Sequence, residues 1–271
     1  MTLSSFQLRT LSTVVLGPLL LWAIVSLQGE AFTLLLVLLL LPAAWEWSRL
    51  AGQKRLWPQL EYTALVILLF YASRLLPLEP LLLAALLWWG GALFWLRKFP
   101  AQTGWLFNPV LRYIAGLFVL LPAWRALEVI HLQEQGVGLL FFLLLLIWSA
   151  DIGAYLVGVR MGKHKLAPNV SPGKSIEGVL GGMAAASLVG VAAFLLLDEV
   201  KIMLPLFLLS VLLLVIFSVV GDLVESAYKR HVGLKDSGQL IPGHGGILDR
   251  VDSLTAAAPL YLVLLLLFGW V

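Results

Sequence analysis

The chain has 271 residues, of which 61% are apolar and only 12% charged, and its mean hydropathy is +0.98. A water-soluble domain cannot hide that much apolar surface. The net charge of +3 fits the basic loops of a membrane protein and needs no nucleic-acid partner, while the absence of cysteine excludes disulfides, thiolate metal sites and thiol nucleophiles.

In chain order, apolar runs between charged or Pro/Gly-rich breaks predict nine spans, near 11–28, 31–48, 61–78, 80–97, 109–127, 137–157, 177–197, 203–224 and 254–271. Each is close to the length a helix needs to cross about 30 Å of hydrocarbon. Strand periodicity is absent, which excludes a membrane barrel. The predicted fold class is all-α, a polytopic integral membrane protein of about nine transmembrane helices. The first run lacks a small-residue cleavage site and is followed at once by another span, so it is expected to be retained rather than cleaved as a signal peptide. Trp45, Trp47, Trp57 and Trp105 lie near span ends, where an interfacial belt accounts for them.

Lys and Arg accumulate on the cytoplasmic side of short loops. With the N-terminus inside and nine spans, Arg9, Arg49, Lys54, Arg55, Arg97, Lys98, Arg112, Arg160, Lys163, Lys165, Lys174, Lys229, Arg230, Lys235 and Arg250 fall inside, against Arg74, Arg125 and Lys201 outside. Fifteen of the 18 basic residues on one side predict a cytoplasmic N-terminus and an external C-terminus.

The chain reads as a single membrane domain over 1–271, with N-terminal transmembrane helices over 1–130 and the chemistry concentrated over 137–271. Two polar stretches stand out. The first is Asp151-Ile-Gly-Ala-Tyr155, followed by Ser171-Pro-Gly-Lys174-Ser-Ile-Glu177-Gly178. Asp151 closes an apolar run, and an ionisable group at membrane depth is costly enough to mark function. The Ser-Pro-Gly-Lys-Ser segment combines a turn, exposed amides and a cation, as a phosphate site would. Gly158/Gly162 and Gly178/Gly182 have the small-xxx-small spacing of close helix packing.

The second stretch runs from Gly221 to Asp252. If the eighth helix continues to Arg230, then Asp222, Glu225, Ser226 and Lys229 share one face. Pro242-Gly-His244-Gly245-Gly246 resists regular helix, and its glycines leave amides able to approach an anion. Asp249 and Asp252 can then meet Asp222 across the loop. Carboxylates among Lys and Arg around a Gly-rich turn suit metal-assisted phosphoryl or nucleotidyl transfer. A solvated loop with helix caps is the plainer alternative, and the histidines have no zinc-site spacing.

Ser226-Ala-Tyr-Lys229-Arg230, Lys235-Asp236-Ser-Gly238 and Ile241-Pro242-Gly-His244-Gly245-Gly246-Ile-Leu-Asp249-Arg250-Val-Asp252 closely resemble the signature of the phosphatidate cytidylyltransferases, bacterial type. Tyr228 departs from it, standing where the family more often has a non-aromatic apolar residue. The resemblance is strong over 145–260 and implies synthesis of CDP-diacylglycerol and pyrophosphate from CTP and phosphatidic acid. It further implies magnesium, with a second cation as an option, a homodimer in a bacterial inner membrane and a site facing the cytoplasm. By motif match, Asp222 and Asp249 are implied as metal ligands. Lys229, Arg230, Asp236, Arg250 and Asp252 are implied as catalytic, with Asp151, Lys174, Glu177, Ser226, Lys235, His244, Gly245 and Gly246 binding substrate. Two rivals remain: a CTP-dependent lipid-alcohol kinase, which needs a base for its hydroxyl nucleophile, and a transporter, which favours acids at the midplane of several spans.

Overall fold

The computed structural model describes residues 5–99, 104, 108–196 and 202–271. Lys201 and Trp105 lie outside the described residues. Among the described residues the chain forms α1 (Ser5–Ser26), α2 (Glu30–Leu50), α3 (Leu56–Ser73), α4 (Leu78–Lys98), α5 (Pro109–His131) and α6 (Gly136–Met161). A two-stranded antiparallel hairpin follows, β1 (Lys165–Ala167) and β2 (Ser171–Ser175), and then α7 (Ile176–Leu196), α8 (Leu204–His231) and α9 (Leu248–Leu267).

Seven of the helices, α2 and α4 to α9, are long and apolar enough to cross a membrane, while the apolar stretch Val14–Ser26 of α1 is shorter. The chain is an all-α membrane protein. Helices are the form such a sequence must take in hydrocarbon, because they satisfy every interior backbone group within the segment. Pro42, Pro122 and Pro259 lie inside helices, as membrane helices tolerate.

Leu40, Trp47, Trp89, Leu143, Tyr228 and Leu262 are fully buried, whereas Leu38, Leu68, Leu87 and Leu188 point outward, as they do in a bundle solvated by lipid. Tyr228, the departure from the family pattern, has a packing role: its ring meets Trp47 at 5.1 Å and Trp95 at 6.4 Å, tying α8 to α2 and α4. The glycine spacing in α6 and α7 acts in the same way. A methyl at Gly182 would overlap the Ala150 carbonyl, and one at Gly153 would overlap Gly181 and Ala185, so these two helices approach backbone to backbone.

Acidic residues mark the two ends of the bundle. Glu30 and Glu46 sit at opposite ends of α2, about 24 Å apart at 1.5 Å per residue. At the Glu30 end, buried Glu128 accepts from Thr33 Oγ1 at 2.7 Å and pairs with Arg125 and, at 3.2 Å, with Arg74 Nε; Arg74 also pairs with Glu30. The Glu46 end holds the hairpin, the C-terminus of α8 and the loop leading into α9.

The hairpin and the start of α9 differ from the sequence expectation in ways that matter for the site. The 171–175 segment is strand β2 rather than a turn, paired through Lys165–Ser175 and Ala167–Ser171 with an irregularity between. Pro172 fits there because a proline without an N–H is tolerated at an irregular edge. Helix α9 begins at Leu248, not near 254, because its first turns are polar and an apolar-run criterion passes over them.

Candidate active site

Helix α8 does run on through Arg230 to His231, carrying Asp222, Glu225, Ser226 and Lys229 on one face. Ser226 Oγ donates to Asp222 Oδ1 at 3.1 Å, and Lys229 Nζ lies 3.1 Å from Glu225 Oε1 one turn back. Lys229 reaches across to α9, donating to Asp249 Oδ1 at 2.7 Å, so one buried ammonium is held between two buried carboxylates. From β2, Lys174 Nζ pairs with Asp222 Oδ2 at 2.6 Å, both side chains being partly exposed. Asp151 lies within Coulombic reach of Lys174, Asp222 and Arg250, and Asp252 within reach of Asp222. Four elements, α6, β2, α8 and α9, thus converge at one end of the bundle.

The loop between α8 and α9 folds around carboxylates. Asp249 Oδ2 accepts from the Ser237 amide at 2.9 Å, the Ser237 hydroxyl at 2.9 Å and the Gly246 amide at 2.8 Å. The Gly246 amide is therefore committed to Asp249 and not open to an anion. Gly245 has a φ of +87°, and a methyl there would strike Asp249, so glycine is required twice over.

Two cavities flank the cluster. One, of about 640 Å³, is lined by Lys235, Asp236, His244, Gly245 and Arg250 among others, and is mostly polar. The other, of about 340 Å³, lies between α6, α7 and α8; Asp151 and Lys174 give it a polar edge, and Tyr155, Val179, Val215 and Val219 give it an apolar wall.

Residues 7–268 match the model of the "Cytidylyltransferase family". The chain belongs to that family. Among its curated relatives, a phosphatidate cytidylyltransferase of Pseudomonas aeruginosa is 43% identical over 264 residues, 97% of each chain. One of Haemophilus influenzae is 37% identical over 281 residues, covering 93% of this chain and 96% of its own. A third, of Bacillus subtilis, is 43% identical over 156 residues, 58% of each chain.

Within this cytidylyltransferase, the structure brings together Asp222, Ser226, Lys229, Asp249 and Lys174 by direct contact, and Asp151, Arg250 and Asp252 by charge proximity. Lys235, Asp236, His244 and Gly245 line the polar cavity. Two expected site residues make other contacts. Glu177 accepts from the amides of Lys163 and His164 at 3.1 Å and pairs with His164 Nδ1 at 2.6 Å, fixing the entry to the hairpin. Arg230 donates to the carbonyls of Val170 at 3.3 Å and Leu234 at 3.2 Å, bracing two loops.

Sequence reasoning missed Glu46. Its carboxylate is buried and accepts from the Ile247 amide at 3.1 Å and the Leu248 amide at 2.9 Å, and Ser237 Oγ, whose one proton is shared with Asp249, lies 3.0 Å away. The signal was present: an acid inside a predicted membrane span, the same sign that singled out Asp151.

Among the described residues, no three His, Cys, Asp or Glu side chains gather closely enough to hold a metal alone. Asp222 offers a partly exposed carboxylate beside Lys174, whereas Asp249 is buried with Lys229 on one oxygen and Ser237 and Gly246 on the other. The Asp222 carboxylate fits magnesium, which takes one or two carboxylates and completes its shell with water and substrate phosphates.

Proposed function

We propose that this chain is a phosphatidate cytidylyltransferase, transferring CMP from CTP to phosphatidic acid. The supporting observation is the convergence of Lys174–Asp222 and Lys229–Asp249 between a polar cavity and a half-apolar one. The polar cavity suits a nucleoside triphosphate. The half-apolar one, lined by membrane helices, suits a phosphate carried on acyl chains.

The phosphatidate oxygen attacks the α-phosphorus of CTP, a new P–O bond forms, and the bond to the β-phosphate breaks to release pyrophosphate. This nucleophile is already ionised at neutral pH, so no general base is required and catalysis rests on positioning and charge neutralisation. Lys174 and Arg250 supply positive charge where the two phosphates meet. Lys235 and His244 hold the triphosphate, and Lys229 fixes the orientation of Asp249. Asp222 would hold magnesium, which when bound offsets charge on the reacting phosphates, and Asp249 would join it only by releasing Lys229. Asp252 and Asp236 add negative charge that keeps the surrounding cations in place.

The same reading takes the protein to cross the membrane nine times with its site facing the cytoplasm of a bacterial inner membrane. The homodimer has the family resemblance as its sole support; light scattering in detergent reads it directly.

The test is CTP-dependent conversion of phosphatidate to CDP-diacylglycerol by purified protein with magnesium, beside Asp249→Asn and a chelator-treated control. The wild type is expected to form product, and both comparisons to lose at least about a hundredfold in rate. Phosphorylation of a lipid alcohol instead would establish the kinase, and the absence of any nucleotide chemistry would sink the enzyme reading.

A further inference from the structure

We infer that Glu46, in the N-terminal half of the chain, is a positioning residue for the reaction, acting on Asp249 through Ser237 and through the start of α9. The inference rests on the function proposed above.

Four amides at a helix N-terminus lack partners within the helix and need acceptors. At α9 the N-cap residue is Ile247, and no side chain of its own segment caps the helix. Glu46 does so from α2, taking the Ile247 and Leu248 amides at 3.1 and 2.9 Å across 201 and 202 residues of sequence. A carboxylate in that position also meets the positive end of the helix dipole.

The third contact links Glu46 to the site. Ser237 Oγ lies 3.0 Å from Glu46 Oε2 and 2.9 Å from Asp249 Oδ2, and the Ser237 amide donates to the same Asp249 oxygen. Ser237 is fully buried, so its position follows from these partners. Asp249 and Arg250 lie in the first turn of the helix that Glu46 starts. Shifting that start moves both side chains together.

Two glycines show how closely the loop is fitted to this carboxylate. A methyl at either Gly238 or Gly246 would overlap the Glu46 side chain. Neither glycine has a positive φ, so neither needs glycine for its backbone angles. Their smallness serves the approach of Glu46. The groups in contact with Glu46 are two amides and a hydroxyl, and among the described residues no ion pair explains why a charge-bearing side chain is buried here. Holding the loop and the helix start together is what its geometry does.

The experiment uses full-length protein in detergent and compares wild type with Glu46→Gln, Ser237→Ala and the double variant. Glutamine keeps the size but offers one oxygen and an NH2 group to three donors, so at least one contact is lost. Glu46→Gln is expected to lower kcat by about 10- to 100-fold, the scale of a misplacement near 1 Å, with the KM for phosphatidate changing less than about threefold. Because Glu46 and Ser237 belong to one hydrogen-bonded chain ending on Asp249, the two losses are expected to overlap, and the double variant to lose less than their product. Hydrogen exchange of the 246–249 amides should quicken in Glu46→Gln. A folded Glu46→Gln with wild-type kcat, or losses that multiply independently, would overturn the inference. Should Glu46→Gln fail to fold, Ser237→Ala decides alone, since it leaves the α9 cap in place, and wild-type kcat in it overturns the inference. If the wild type itself turns over no CTP with phosphatidate, the proposed function fails. The exchange rates then judge Glu46 separately, and unchanged protection of 246–249 rejects it.

Discussion

Lys229 sits between Glu225 and Asp249, all three side chains buried at the boundary between helix and loop. Replacing it with methionine keeps most of its volume and leaves two carboxylates close together without their cation. Breaking a buried pair by removing one partner costs about 3–5 kcal/mol, so Lys229→Met should lower the melting temperature in detergent as well as activity. Lys174 contrasts with it: its partner Asp222 is partly exposed, and water can replace the lost charge. Lys174→Met is therefore expected to lose activity while melting close to wild type, and scanning calorimetry beside a rate assay separates the two lysines. Which residues gather at the site was legible where the acids and bases are dense, because Asp222 to Lys229 span two turns on one helix face and Asp249 and Asp252 lie one turn apart. Glu46 was legible only as an acid inside an apolar span; its role was not, since its partners lie 191 to 202 residues away. The glycines of the loop were legible as special but misattributed. Those at 238, 245 and 246 make room for Glu46 and Asp249.

Among the elements, helix positions followed from apolar length, since hydrocarbon leaves a long apolar segment no other backbone form. The shifts occur where polar residues continue a helix past its apolar part, as at both ends of the α8–α9 loop. The hairpin was illegible because three and five residues are too short for an alternating pattern, and Ser-Pro-Gly reads locally as a turn. It nonetheless carries Lys174 to Asp222, and its anchorage depends on how closely α6 and α7 pack above it. Gly182→Val would push α7 away from the Ala150 carbonyl, at a cost of about 1–3 kcal/mol for overpacking. Widening the α6–α7 gap should also raise the KM for phosphatidate more than that for CTP, because the half-apolar cavity lies along this seam. Equal effects on both substrates would place the lipid elsewhere.

Across the whole molecule, the acidic and basic residues separate into two ends with an apolar bundle between them. The Glu30–Arg74–Glu128–Arg125 network joins α2, α3 and α5 far from the candidate site. Its arginines are the described cations assigned to the outer side by the charge count, so opposite ends of the bundle should answer to opposite sides of the membrane. A chain without cysteine makes the check clean. Leu75→Cys, beside Arg74 and 87% exposed, should react with an impermeant maleimide on intact cells. Leu240→Cys, 60% exposed in the α8–α9 loop, should react only after permeabilisation. The reverse pattern would invert the proposed orientation.

The cap that α2 provides for α9 also orders events during synthesis. Glu46 leaves the ribosome about two hundred residues before the amides it will receive, at a usual pace of about 5–20 residues per second. Throughout that interval the growing chain carries an acid whose partners do not yet exist, and the loop holding Asp249 has nothing to close upon. A chain cut short before residue 247 would keep Lys174 and Asp222 yet lack the seam that joins its first and last parts. Competence for chemistry would then arrive in a single step, when the final helix reaches the second.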